Sequence, residues 1–253
     1  MPRPPPRALR CSIAMKGENA NPFDAAEQFL AARADSDLPA LWLANLVSDT
    51  LGKVLQAVEL PHLDGEEPDD EWNQTKALIL LGLLAGRSHR ATMLLLEHGY
   101  DAEALAFKRR LVEVHARVRR VTDPVNGAQR ARDWLRGQDR KPSSVVELPE
   151  GAWHLYSHLV HADFRAAEHH LVKHHEGGRV SFALLPLRNV DIANATLTMS
   201  SAETRDVAAV IADFKGLRIN GLETLDDELQ TALKRWVEPR GDNAADEASP
   251  TPP

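Results

Sequence analysis

The sequence predicts an all-α bundle of about seven or eight helices, on three observations. Ala and Leu dominate the apolar residues, which make up 43% of the 253-residue chain, and both lose little on entering a helix. Aromatic residues are only 5% of the chain, so the residues that favour strands are sparse. Helix-opening Asp–Pro and Asn–Pro pairs and helix-ending Gly or Pro residues divide the chain into segments of helical length.

Asn21, Pro22 and Asp24 read as an N-cap, a first-turn proline and a first-turn acid, opening a helix to about Ala32. A second helix starts near Asp37 and Pro39 and runs to Leu60, where Pro61 stops it. The acidic stretch from Pro61 to Asp70 is a loop. A third helix runs from about Glu71 to His98 with Gly99 as its C′ residue. Apolar residues surround its first half, the pattern of a central bundle helix. Gly82 and Gly86 share one face of it, where another helix can approach closely.

Asp101 is expected to cap a fourth helix reaching Thr122, and Asp123 with Pro124 to open a fifth ending near Gly137. Lys141 to Leu148 reads as a loop, after which Pro149 opens a sixth helix through Val160. Gly177 and Gly178 separate HHLVKH from RVSFALL, which suggests a small β-hairpin. Helices resume from Val190 to Phe214, ended by Gly216, and from Leu222 to Val237, ended by Pro239. Residues 21–239 therefore read as one helical domain. The Pro-rich residues 1–20 and the polar tail 240–253 read as disordered, because such compositions cannot offset ordering entropy.

The apolar run from Ala77 to Gly86 meets Arg87, Ser88, His89 and Arg90 at once. A bilayer needs about 18 clean residues, so the run reads as a buried helix and no membrane contact is expected. MPRPPPRALRCSIAMKGENA has no continuous apolar block and does not read as a secretory signal, and Met15 offers a second start. The single cysteine, Cys11, can form neither an internal disulfide nor a thiolate cluster. A reducing, cytoplasmic setting follows.

The net charge of −7 excludes a generally basic surface, yet the charge is uneven. From Arg87 to Lys141 eleven Arg and two Lys face seven acids, a local charge of +6. That layout permits one basic face, for RNA or for a protein partner, and equally describes an ordinary solvated helix surface.

Seven of the eleven histidines fall between His154 and His175. On the sixth helix Trp153, Leu155, Tyr156, Leu159 and Val160 form one arc, while His154, Ser157, His158 and His161 form the opposite one. Three readings are open: a solvated polar face; a metal site at His154, His158 and His161, with Asp163 beyond; and an acid–base pair of His161 with Ser157 one turn away. No HExxH-type signature supports the metal, and no cofactor is expected. On the fourth helix, Arg110, Glu113 and Arg117 flank an apolar stripe running from Ala104 to Val121. Arg87 and Arg90 lie one turn apart on the third. Glu113 is the expected partner of Arg87 and Arg110, and Arg87 and Arg90 are the candidate charges for an anionic substrate.

The order of GRSHRATMLLLEHGYDAEALAFKRRLVE and a later YSHLVHAD, covering Arg87 to Asp163, resembles a family of all-helical bacterial proteins of unassigned function. The resemblance implies a helical fold and a polar cluster at Arg87, Arg110, Glu113, Ser157 and His161, and no activity. RLVEVH (Arg110–His115) and RAAEHH (Arg165–His170) also resemble the short Arg…His motif of helical toxin-type ribonucleases in phage-defence systems. Here Leu111 replaces the polar residue that commonly follows that arginine. Two function classes follow. One is a metal-independent RNA-cleaving effector using His161, Ser157, Arg110 and Glu113; the other is a non-catalytic helical module that binds protein or ligand in the same groove.

Overall fold

The computed structural model describes residues 28, 31–60, 68–139, 171–173, 180–182 and 190–237, and its body is all-helical. A one-turn helix α1 (Ala34–Asp37) precedes α2 (Leu41–Ala57), α3 (Asp70–Glu97), α4 (Asp101–Val121), α5 (Gly127–Leu135), α6 (Val190–Phe214) and α7 (Leu222–Trp236). Two three-residue segments, Leu171–Lys173 and Val180–Phe182, pair antiparallel with Leu171 opposite Phe182. The expectations for residues 1–20, for the helix from Asn21 up to Glu27, for the helix from Pro149 to Val160 and for the tail 240–253 lie outside the described residues.

α3 shows how local chemistry sets the helix ends. Asp69 Oδ1 accepts the Trp72 backbone N–H at 2.7 Å, satisfying a donor that the first turn leaves free. Asp70 and Glu71 follow in the first turn, where acids oppose the helix dipole. At the far end Gly99 turns at φ +86°, which lets the Tyr100 N–H reach the Leu95 carbonyl at 2.8 Å.

Two expected caps fall elsewhere. Asp101 is the first helical residue of α4, with Tyr100 at the N-cap position and no side-chain cap. Asp123 does not open α5 directly: its Oδ1 accepts the N–H groups of Val125 and Asn126 at 3.0 and 2.8 Å. It thereby closes a turn, and the helix starts at Gly127. These two bonds also hold the Asp123 carboxyl below its usual pKa.

α3 runs through the centre, packed on α2, α4, α5 and α6. One core cluster joins Leu51 and Val54 of α2 to Leu78 and Leu81 of α3, Leu111 and Val118 of α4, and Val207 and Ile211 of α6. A second, at the other end, holds Leu38, Leu41, Met93, Leu96, Ala104 and Leu197. Each fully buried leucine contributes about 2 kcal/mol. Gly82 permits a close approach of α2 and α6: a Cβ there would lie 2.5 Å from Leu55 Cδ2 and 3.2 Å from Ile211 Cδ1. By length and composition alone α3 is long and apolar enough to cross a membrane, because its helical apolar window, at a mean hydropathy of 1.2, extends past the Ala77–Gly86 run. Its most buried face nevertheless packs against protein.

α6 touches α2, α3, α4 and α7. Its buried face sets small polar residues, Asn194, Thr196, Thr198, Ser200, Ser201 and Thr204, among apolar ones such as Leu197, Val207 and Ile211. The Thr198, Ser201 and Thr204 hydroxyls each donate to the carbonyl four residues back at 2.8 Å, so they enter the interior without unmet hydrogen bonds. Asn194 Oδ1 accepts the Ala40 N–H at 3.0 Å and so serves the start of α2 from across the bundle.

Candidate functional site

α4 separates two polar clusters. Its apolar side, Ala104, Leu111, Val114, Val118 and Val121, is buried. His115 lies just past that stripe, where the edge of α4 meets α6. Its Nδ1 contacts the Glu203 carboxylate of α6, and its Nε2 is 2.9 Å from Arg119 Nε, one turn along α4.

Chemistry assigns the tautomer. A guanidinium only donates, so Nε2 accepts from Arg119 and Nδ1–H donates to Glu203. The imidazole is thus neutral, with its proton fixed by a carboxylate and its basic nitrogen aimed at a cation. His115 is 9% exposed, while the Glu203 side chain is 30% exposed and Arg119 is open to solvent. An anion arriving at Arg119 would also meet Nε2. Two turns back, the buried Lys108 places Nζ 3.2 Å from Met199 Sδ, extending the same seam.

The opposite flank of α4 carries an ion-pair chain. Glu113 pairs with Arg109 at 3.2 Å and with Arg117 at 3.8 Å. Arg117 continues to Asp139 at 2.8 Å, which Arg120 also approaches at 3.9 Å. The expected hub of Glu113 with Arg87 and Arg110 is therefore not formed. Residues four apart lie about 40° apart around a helix, so Arg109 and Arg117 bracket Glu113. Arg110 lies about 60° from Glu113, beyond Arg117 on that side, and is exposed. Arg87 and Arg90 are exposed on α3, and Arg90 Nη1 donates to Asn45 Oδ1 of α2 at 3.3 Å.

His161, Ser157, His154 and His158 lie outside the described residues. Among the described residues no group of three or more His, Cys, Asp or Glu side chains could hold a metal ion. Sequence reasoning reached His115 only as the end of RLVEVH, and through Arg110. Five residues apart, those two sit about 140° from each other around α4. The spacing that mattered was His115 to Arg119, one turn. Glu203 left no local signal, being brought in by tertiary packing.

Compared with known proteins, the chain matches no family model, no curated protein and no solved structure.

Proposed function

We propose that this protein is a metal-independent RNA-cleaving effector of the toxin or phage-defence type, with His115 as its acid–base residue. The observation that carries the reading is the Glu203–His115–Arg119 arrangement. A carboxylate fixes one imidazole nitrogen, and the other is presented beside a guanidinium at the protein's edge. Histidine exchanges protons near neutrality, and a positioned base of this kind contributes roughly 10²–10⁴ in rate. In this reading His115 Nε2 takes the proton of an RNA 2′-hydroxyl. The 2′-oxygen then bonds to the adjacent phosphorus and the 5′-oxygen departs, taking a proton from solvent. Arg119 balances the charge that builds on the phosphate. The local charge of +6 between Arg87 and Lys141 attracts the strand.

Ser157, on the predicted helix from Pro149 to Val160, and His161, directly after it, stay in the proposal as a second acid–base pair. With them stand the count of seven or eight helices, the small hairpin, the cytoplasmic setting, and Arg87, Arg90, Arg110 and Glu113 as auxiliary charges. The test is cleavage of an end-labelled single-stranded RNA in EDTA. Wild type is expected to leave 2′,3′-cyclic phosphate ends, and His115→Ala to lose about 100-fold or more. His98→Ala, a control at the C-cap of α3 away from the α4–α6 seam, is expected to cleave normally. His161→Ala in the same assay tells which histidine acts. Equal rates for His115→Ala and wild type, both folded by circular dichroism, would remove His115. A wild type that cleaves no RNA would return the chain to the second reading, a non-catalytic binding module.

A further inference from the structure

The outward face of α3 and α2 has no described helix against it. On α3 the exposed residues Leu80, Leu83, Arg87, Arg90 and Leu94 follow one another at spacings of three, four, three and four. That 3.5-residue average keeps a stripe straight along one side of a helix and is the spacing of a coiled-coil seam. Leu80, Leu83 and Leu94 are 38%, 49% and 42% exposed. On α2, Trp42 and Leu46 are 55% and 40% exposed, with Asn45, Asp49 and Lys53 on the same exposed side. The Arg90–Asn45 hydrogen bond ties the two helices into one surface. Scattered exposed leucines need no explanation, but five large apolar side chains on one two-helix face mark an interaction surface.

The charges decide what fits. Arg87 and Arg90 occupy the middle of the seam, and among the described residues no carboxylate pairs with either of them. A second copy docked by two-fold symmetry along this stripe sets Arg87 against Arg87, in a parallel or an antiparallel pairing. Burying like charges opposes that dimer. A bilayer surface would likewise have to accept two guanidiniums at the centre of its apolar contact. An amphipathic helix with leucines at its ends and acids at its centre satisfies every position.

We propose that the α2–α3 face docks one helix of a different protein, apolar at its two ends and acidic in the middle. Arg87 and Arg90 select it by pairing with its carboxylates, and Leu80, Leu83, Leu94, Trp42 and Leu46 supply the contact area. The proposal does not need the cleavage reading, since His115 sits on the α4–α6 seam; it assigns Arg87 and Arg90 to the docked helix in place of the auxiliary substrate role given them above.

The test uses two designed helical peptides and fluorescence anisotropy with the full chain. Both carry leucine at seam positions; one has Glu and the other Lys at the two central seam positions. The Glu peptide is expected to bind at least tenfold tighter than the Lys peptide. Arg87→Glu with Arg90→Glu is expected to invert that preference, and Leu83→Glu with Leu94→Glu to weaken the Glu peptide tenfold or more. All four positions are exposed, and unchanged melting temperatures would show the variants folded. Equal binding of the two peptides, or a preference that survives the arginine reversal, would overturn the proposal. So would a wild-type dimer in sedimentation that Leu83→Glu abolishes, which would give the face to a second copy. Vesicle binding lost in Leu83→Glu with Leu94→Glu, with neither peptide bound, would give it to a membrane and overturn the proposal equally.

Discussion

His89 and His115 both reach across to α6 and hold a proton on opposite ring nitrogens. His89, on α3, is fully buried. Its Nε2–H donates to the Ala44 carbonyl at 2.9 Å, and its Nδ1 accepts from the Ser200 hydroxyl at 2.8 Å. Burial pushes its pKa down to about 4; the Ala44 carbonyl offsets only part of the cost of charging the ring, and the nearby Arg90 charge adds to it. His115, at the rim, has two charged partners that solvent also reaches. One imidazole is a structural strut between three helices; the other is held, yet open to an incoming ligand. Residue type does not separate these roles. The charge and exposure of the partners do.

The largest expected effect is on stability. His89→Ala removes a packed ring and strands the Ala44 carbonyl and the Ser200 hydroxyl, and should cost about 4 kcal/mol. His115→Ala, whose partners turn to water, should cost about 1 kcal/mol. Urea unfolding of both variants measures the gap, and equal losses would break the distinction.

The pH dependence comes next. Folded His89 takes its proton at about pH 4 and the unfolded chain near 6.5. Between those values the unfolded state binds the extra proton, so stability falls as the pH drops from 6.5 towards 4. The contribution is fully present above 6.5, and its complete loss is about 3 kcal/mol. His89→Gln should flatten that segment of the curve. Parallel wild-type and variant curves from pH 7 to 4 would deny that the ring is buried neutral.

The smallest effect tests the rim network. Glu113→Ala breaks two part-exposed pairs with arginines of its own helix, for an expected loss of about 1 kcal/mol. A loss of 3 kcal/mol or more would mean that this flank behaves like the interior around His89.

Local signals in the sequence located most of the helical body. Val190 and Phe214 bound α6 as expected, because Gly216 adopts φ +63° just beyond it. Gly99 ends α3 for the same reason. The misplaced caps at Asp101 and Asp123 show the limit, since an Asp before a helix can close a turn instead of capping. The site was less legible. His115 was visible as a residue, but Glu203 and the Ser200 partner of His89 depend on how α6 lies against α3 and α4. The buried serines and threonines of α6 gave no apolar signal, yet they sit in the interior because Thr198, Ser201 and Thr204 bond along their own helix and Ser200 bonds to His89.

The position of α6 in the chain has a consequence for biosynthesis. It is the common neighbour of α2, α3, α4 and α7, and it supplies the Asn194 that serves the start of α2. At ribosomal speeds of about 5–20 residues per second, roughly ten to thirty seconds separate the emergence of Ala57 from that of Phe214. Throughout that interval the apolar side of α2, with Leu41, Ala44, Val47 and Leu51, lacks its main cover. The nascent chain is therefore exposed to aggregation or to a chaperone until α6 has been made.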